Sequence, residues 1–516
     1  MAPMADTAEH AHRRLRLAAA AFALGGAAWV HANETWQVEP HVRTAVTFTD
    51  NARLDPPGAE RGDAILEVSP GLLVRSRGAH SEGRLDYTLQ TITYRRLPEN
   101  DRRDHLLSAY AKSEVVANLL YLDARGDRSL QTLRAGAPLE VDPALANPNR
   151  TIVDSYSFSP FARRSVGSLF TPEVRYLRDH AGSNNTALTD SDGDTLAAFV
   201  RSGPAFSRWG WGVNHANERV VYGSAGTTRR RMDSADLRFE LGASLVALGT
   251  YGREDNDYPY VGEKPSGSFW SAGIKWEPSR LTRIVMNGGE RFFGRTWDVD
   301  ISHQARLWQW TARYKQDLSS TRAQLLLAPP STFAYLDSLA RVAQPDPLER
   351  ARAIEEFIAA RGLPQRIPSA VNFFGHQPFV ERRFDSALVL RSARATAIAI
   401  VYRVARDVRA AGSDPNGFLA LLDLSATPNV TQKGASVLMN WRFEPRTELE
   451  VDCSALQSID RDTGFTGDTR LAQVGLRHTF GRKLVGALDY RHTWGRAQSS
   501  GAYRENALIA AINIRF

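Results

Sequence analysis

The 516-residue sequence predicts an all-β protein: a transmembrane antiparallel β-barrel of about 22 strands (range roughly 18–24) with one helical loop insertion. Three observations lead there. Apolar residues recur at every second position over most of the chain, which puts them on one face of successive strands. The connections between these runs alternate between short and long. The first 32 residues read as an export address, and no apolar run of the roughly 20 residues that a membrane helix needs is present.

At the N-terminus, Arg13, Arg14 and Arg16 precede the apolar residues 17–30, and Val30-His31-Ala32 has the small-x-small form of a cleavage site. This combination predicts a signal peptide over residues 1–32. A buried N-terminal helix is the competing reading, weakened by Gly25-Gly26 and the polar sequence behind it. The barrel is expected over residues 33–516.

Alternation begins with Trp36, Val38, Pro40, Val42, Val46 and Phe48 set against Gln37, Glu39, His41, Arg43 and Thr47. It returns in Leu66, Val68, Pro70, Leu72 and Val74, and is clearest in Trp308, Trp310, Ala312 and Tyr314 against Gln309, Thr311, Arg313 and Lys315. A sandwich or solenoid would also alternate, so the connections discriminate. Residues 78–81, 117–118, 202–205, 277–279, 444–446 and 481–482 read as tight links. Residues 51–63, 97–104, 126–153, 178–194, 217–228, 255–266, 406–430 and 460–468 read as long polar loops. Outer-membrane barrels have this asymmetry, with short periplasmic turns and longer outer loops. An even strand count puts Asn33 and Phe516 on the same, periplasmic side. Phe516, in phase with Leu508, Ile512 and Ile514, is the candidate insertion signal for the barrel assembly machinery.

Closure follows from the solvent. In lipid every backbone N–H and C=O must pair within the protein, and a rolled-up sheet leaves no edge. One strand face can then be polar because it looks into a lumen. The candidate lumen lining is Arg43, Arg84, Asp86, Lys112, Glu114, Arg175, Arg238, Arg313, Lys315 and Arg491. Two readings stay open: charges that pair across strands to brace the wall, and a lining selective for an anionic solute. Trp36, Tyr94, Tyr121, Tyr176, Trp209, Trp211, Tyr251, Trp270, Trp276, Trp441, Tyr490 and Trp494 fall mostly toward strand ends, as interfacial girdles do.

Residues 319–377 break the strand pattern. Asp346-Pro347-Leu348-Glu349 reads as an N-cap with Pro in the first turn and Glu completing a capping box. Leu348, Ala351, Ile354, Phe357 and Ile358 form an apolar stripe, and Gly362 offers a C-cap. Residues 332–343 suggest another helix. Loop parity places this insertion on the outer side, as a cap or an inward constriction.

Composition removes other classes. The single cysteine, Cys453, excludes an intramolecular disulfide, a Cys-ligated zinc site and a haem-attachment motif. Aromatic content (22 Phe, 15 Tyr, 11 Trp) argues against disorder. The formal charge is +7, with only six of 64 basic residues being Lys, but the Arg residues are spread along the whole chain. No nucleic-acid partner is expected from that distribution. There is no His-Glu-x-x-His, no Gly-x-Ser-x-Gly and no phosphate-cradling loop, so no catalytic residue, cofactor or metal is assigned. Asp190-Ser191-Asp192-Gly193-Asp194 resembles a fragment of a calcium loop, but Arg201 stands where a bidentate Glu would be needed.

Several stretches carry a family resemblance: Phe48-Thr49-Asp50-Asn51, Pro70-Gly71, Leu85-Asp86-Tyr87, Ser157-Phe158-Ser159-Pro160, Arg291-Phe292-Phe293-Gly294 and the Asp346-Pro347 helix start. Together they resemble the porin-like outer-membrane barrels associated with PEP-CTERM/exosortase systems in Gram-negative bacteria. The resemblance runs along most of the mature chain through loose motifs. It implies association with exopolysaccharide production and export. The expected partners are outer-membrane lipid and lipopolysaccharide, the assembly machinery and, through the resemblance, exopolysaccharide-export components. Two functions compete: a passive or gated conduit, and a structural or docking barrel with a blocked lumen. An outer-membrane enzyme lacks its residues, and a TonB-type transporter would need a plug domain where strands already begin at Trp36.

Overall fold

In a computed structural model, residues 35–132, 142, 144–147, 149–183, 190–223, 226–257, 265–326, 379–408, 429–462, 464–481, 483–497 and 501–516 are described. The expected signal peptide, most of the insertion at 319–377 and its two expected helices lie outside these residues.

The described chain is almost entirely strand, because the period-two pattern leaves each segment one face to bury in lipid and one to keep wet. In order come β1 (Thr35–Thr49), β2 (Asp63–Arg77), β3 (Ser81–Tyr94), β4 (Arg102–Val116), β5 (Leu120–Thr132), β6 (Arg150–Arg163), β7 (Phe170–Ser183) and β8 (Ser191–Ser202). Then follow β9 (Trp209–Tyr222), β10 (Gly226–Gly242), β11 (Leu245–Asp257), β12 (Gly267–Ser279), β13 (Thr282–Arg291), β14 (Gly294–Gln304) and β15 (Trp308–Ser319). A short helix, α1 (Thr321–Leu326), comes next. The series ends with β16 (Phe379–Arg391), β17 (Ala395–Val408), β18 (Val430–Glu444), β19 (Thr447–Asp460), β20 (Thr466–Thr479), β21 (Leu484–Ala497) and β22 (Gly501–Arg515). Every strand pairs antiparallel with its chain neighbours.

Closure is direct. β1 pairs with β22 from His41↔Arg515 to Thr49↔Ala507, so the 22-stranded sheet has no free edge. The Phe516 N–H continues the seam by donating to the Pro40 carbonyl at 2.9 Å. The fold is the closed antiparallel barrel that the sequence predicts.

The registers sort the two faces. Val38↔Val74, Pro40↔Leu72 and Val46↔Leu66 share one face, while Arg43↔Ser69 and Ala45↔Glu67 share the other. Large apolar side chains stand exposed on the first face all round the barrel, among them Val38, Val213, Leu237, Val401, Val474, Leu488 and Ile512. Such a belt is what acyl chains cover, and it makes this a barrel of the outer membrane. Trp36, Trp209, Trp276, Trp308 and Trp441 mark its short-turn rim; Phe48, Tyr251, Trp270 and Trp297 mark the other. Placing an Arg in the belt with Val474→Arg is expected to cost about 2–4 kcal/mol in vesicle unfolding experiments. An unchanged unfolding midpoint would show that this face is not in lipid.

Three expectations are corrected. Tyr94 and Tyr121 do not belong to a girdle: both lie on the lumen face, Tyr94 nearly fully buried and Tyr121 stacked on Phe161. Polar residues read as loop at 126–153, 178–194 and 217–228 partly belong to strands, since β5, β7, β9 and β10 run on into them. Above the lipid both faces of a strand are wet, so alternation stops while the hydrogen-bonded ladder continues. Asp192 and Asp194 accordingly lie in β8, not in a loop. They pair with His180 (3.1 Å) and Arg178 on the outward face.

Candidate functional site in the barrel lumen

The lumen face carries charge of both signs, and the candidate lining residues sit in ion pairs. Arg43 lies 3.8 Å from Glu67, Arg84 3.4 Å from Asp86, and Lys112 3.0 Å from Glu82. Glu114 meets His80 at 2.7 Å near the turn that follows β4. Arg175 holds Asp123 (2.9 Å) and Glu173 (3.1 Å) while lying 3.8 Å above the Phe161 ring. Arg238 is 3.6 Å from Glu240, Arg313 is 2.6 Å from Asp300, and Lys315 is 3.3 Å from Asp317. These pairs run within a strand or between nearby strands, Arg175 reaching across β6 to Asp123 of β5, as wall bracing requires, and each partly exposed pair contributes little energy by itself.

Arg491 differs. It is 1% exposed and makes two bonds to Glu505, Nε to Oε2 at 3.2 Å and Nη2 to Oε1 at 2.7 Å. Thr49 Oγ1 donates to Glu505 Oε1 at 2.9 Å, which ties β1, β21 and β22 together at the closing seam. The remaining Arg491 amine engages Asp142, which comes from the connection between β5 and β6. That connection has folded inward over the seam. Ala144, Leu145 and Ala146 are buried against Ala52, Leu54, Ile65, Ile92, Tyr94 and Tyr503. Its backbone is pinned as well: Tyr94 Oη donates to the Ala144 carbonyl at 2.7 Å, and the Ala146 N–H to the Ala52 carbonyl at 2.8 Å.

A second segment enters from the other side. Ser320 caps α1 through its hydroxyl, which accepts from the Ala323 N–H at 3.1 Å. Arg322, 4% exposed, then reaches Asp179 on β7 and donates to Ser191 Oγ on β8 at 3.1 Å. Two residues on, Gln324 donates to Glu381 on β16 and accepts from Arg406 of β17 at 2.9 Å. A circular 22-strand ring would hold β7 and β16 roughly 40 Å apart, from the strand spacing and tilt. Side chains two residues apart span no more than about 25 Å. The outer mouth is therefore pinched, with α1 bridging its two walls.

A third buried pair stiffens the rim between them. Glu254, fully buried, takes Arg291 of β13 through two guanidinium nitrogens, and Arg291 also contacts Asp317 of β15. Below it a recess of about 770 Å³ opens along β8–β15, touched by Arg201, Asp236, Arg238, Asn287, Asp298 and Lys315.

Asp142 gives the loop contact a pH dependence. Burial opposes its ionisation, but Arg491, the Ala144 N–H and Arg43 outweigh burial and hold its pKa below the ordinary value. A carboxyl with a depressed folded pKa adds stability above its unfolded pKa of about 4 and loses it as pH falls through the folded value. Leu145→Cys, in a Cys453→Ala chain, is expected to react with a dithiodipyridine progressively faster as the pH is lowered below about 4, and Asp142→Asn should abolish that pH dependence. A pH dependence unchanged by Asp142→Asn would remove Asp142 from the latch.

Reading by strand parity found Arg491 but missed its partners. Glu505 was available, because its odd number puts it in phase with Ala507, Ile509 and Ala511 on the lumen face. Asp142 and Arg322 lie in connections where no periodicity points anywhere. Among the described residues no group of three or more His, Cys, Asp or Glu side chains could hold a metal ion.

No family model and no curated protein matches the chain. Solved structures do. The siderophore receptor PirA from Pseudomonas aeruginosa aligns over 93% of this chain and 80% of its own, at 8% identity and TM-score 0.46. The apoprotein form of the FrpB iron transporter from Neisseria meningitidis (F5-1 variant) gives 93% and 81%, at 12% identity and TM-score 0.48. OccK5 (OpdH) from Pseudomonas aeruginosa gives 93% and 98%, at 10% identity and TM-score 0.34. This chain is similar to them in being a large barrel, and nothing about solutes is carried over.

Proposed function

We propose that the protein is an outer-membrane conduit held shut at its outer mouth in the conformation described here. What supports the reading is the pairing of a wide, polar-walled 22-strand bore with two inward segments, each anchored by a buried arginine. A barrel built only as a scaffold has no need of ionic latches at its mouth. The further proposal, resting on the sequence resemblance, is that the conduit serves a PEP-CTERM/exosortase-linked exopolysaccharide system.

Because the lining charges are mutually neutralised, the open bore should discriminate ions weakly. Single-channel recording tests both points. The intact chain is expected to be nearly silent, and a chain with residues 321–378 replaced by a short Gly-Ser link to conduct. Under a salt gradient its anion and cation permeabilities should agree within about threefold. If both forms stay silent, the conduit reading fails and the docking-barrel reading takes its place. For the polysaccharide link, gene disruption should lower released exopolysaccharide; unchanged release would break it.

A further inference from the structure

We propose that the ring of short turns at the periplasmic rim is a seat for anionic phospholipid, its cations taking the phosphates of the inner leaflet. The inference stands whether or not the barrel conducts.

Ten short turns close this end of the barrel, from residues 78–80 between β2 and β3 to residues 480–483 between β20 and β21. None of the ten contains an Asp or a Glu, although the whole chain has 57 acidic residues against 64 basic ones. Seven of them carry a cation, Arg164, Arg208, Arg280, Arg306, Arg394, Arg446 and Lys483, each exposed. Among the described residues none of these seven has an acidic partner. Carboxylates at the nearby strand ends are engaged elsewhere: Glu82 with Lys112 (3.0 Å), Glu240 with Arg238 (3.6 Å), Glu277 with Lys275 (2.9 Å) and Glu444 with the Thr447 hydroxyl (3.2 Å). The long connections mix signs instead. The one between β1 and β2 alone holds Asp50, Asp55 and Glu60 beside Arg53 and Arg61. An Arg-rich composition by itself would not sort charge by the end of the barrel.

The side chains beside the cations point to a lipid surface. In five of the turns a large exposed apolar residue sits in the turn or at its edge: Leu169 with Arg164, Trp209 with Arg208, Leu281 with Arg280, Leu307 with Arg306, and Phe480 with Lys483. A headgroup layer accommodates both members of such a pair, the apolar one toward the acyl chains and the cation among phosphates. Depth agrees. Arg208 adjoins Trp209 and Arg306 lies two residues from Trp308, so about 3–7 Å of chain separates them from the tryptophan girdle. The headgroup layer is roughly 5–8 Å thick on each side of the bilayer. These guanidinium groups therefore end among the phosphates and not beyond them.

Distribution round the ring decides the kind of partner. From the β6–β7 turn to the β20–β21 turn, only the β10–β11 turn lacks a cation. A globular partner would cover one arc or sit over the bore, whereas the bilayer meets the whole circumference. Near an anionic leaflet each Arg or Lys favours binding by about fivefold, so a ring of them selects anionic over zwitterionic lipid.

The test uses the full chain folded in dodecylmaltoside micelles, with folding checked by heat-modifiable migration. Phosphatidylglycerol and phosphatidylcholine are offered in equal amounts, and the lipid retained per barrel is counted after gel filtration. The intact chain is expected to retain phosphatidylglycerol over phosphatidylcholine by at least fivefold in dilute salt, and by less than twofold at about 1 M salt, where the screening length is about 3 Å. Arg208→Gln/Arg280→Gln/Arg306→Gln/Lys483→Gln should remove most of the preference, and Arg208→Lys/Arg280→Lys/Arg306→Lys should keep it. Arg95→Gln/Arg103→Gln/Arg219→Gln/Arg229→Gln deletes as many exposed charges toward the long-loop rim and should leave it unchanged. Equal retention of the two lipids by the intact chain, a preference that survives the turn substitutions, or one lost equally in the long-loop set would each overturn the assignment. So would soluble polyglutamate that displaces phosphatidylglycerol, which would mark the ring as a seat for an acidic protein.

Discussion

Arg491→Ala should lower the unfolding free energy by about 3–5 kcal/mol, more than any other single lumen substitution, because it strands a fully buried carboxylate. Glu505 has two oxygens, and Arg491 and Thr49 supply its hydrogen bonds across the closing seam. Losing the guanidinium also frees Asp142, and with it the inward fold of the β5–β6 connection. Leaving a buried charge unpaired is the costly step, so the double change Arg491→Met/Glu505→Leu should recover most of the loss. Urea unfolding from vesicles, followed by tryptophan fluorescence, reads both. A loss under about 1 kcal/mol for Arg491→Ala would mean that water reaches Glu505 and that no dry cluster exists.

Replacing residues 321–378 by a short Gly-Ser link should raise unitary conductance at least tenfold. The argument is geometric. Arg322 and Gln324 are two positions apart yet grip β7 and β16, walls that an unconstrained 22-strand ring separates by roughly 40 Å. Removing the bridge lets the rim relax toward a circle while the strand ladder stays whole. Arg322→Ala alone should give an intermediate effect, since Asp179, 2% exposed, then repels nothing but loses its only described cation. A trimmed barrel as silent as the intact one would show that α1 is not what closes the mouth.

The two faces of the wall were legible before any coordinates. A side-chain period of two leaves no freedom: once Val42 points to lipid, Arg43 points inward, and the ladder Arg43↔Ser69 places it there. Strand number followed from counting such runs. Strand ends were less legible, because outside the lipid the outward face no longer has to be apolar. β10 therefore runs from Gly226 to Gly242, through Arg229, Arg230 and Arg231.

What the sequence alone determined about this protein is its wall: a closed sheet, greasy outside, with charges inside and the long connections at one end. Only the tertiary structure decided that the mouth is pinched and that Asp142, Arg491 and Glu505 meet. Alternation is local, set by neighbours two residues apart. The latches join residues up to 349 positions distant through connections that carry no period, and their partners are chosen by where the closed ring brings the rims together.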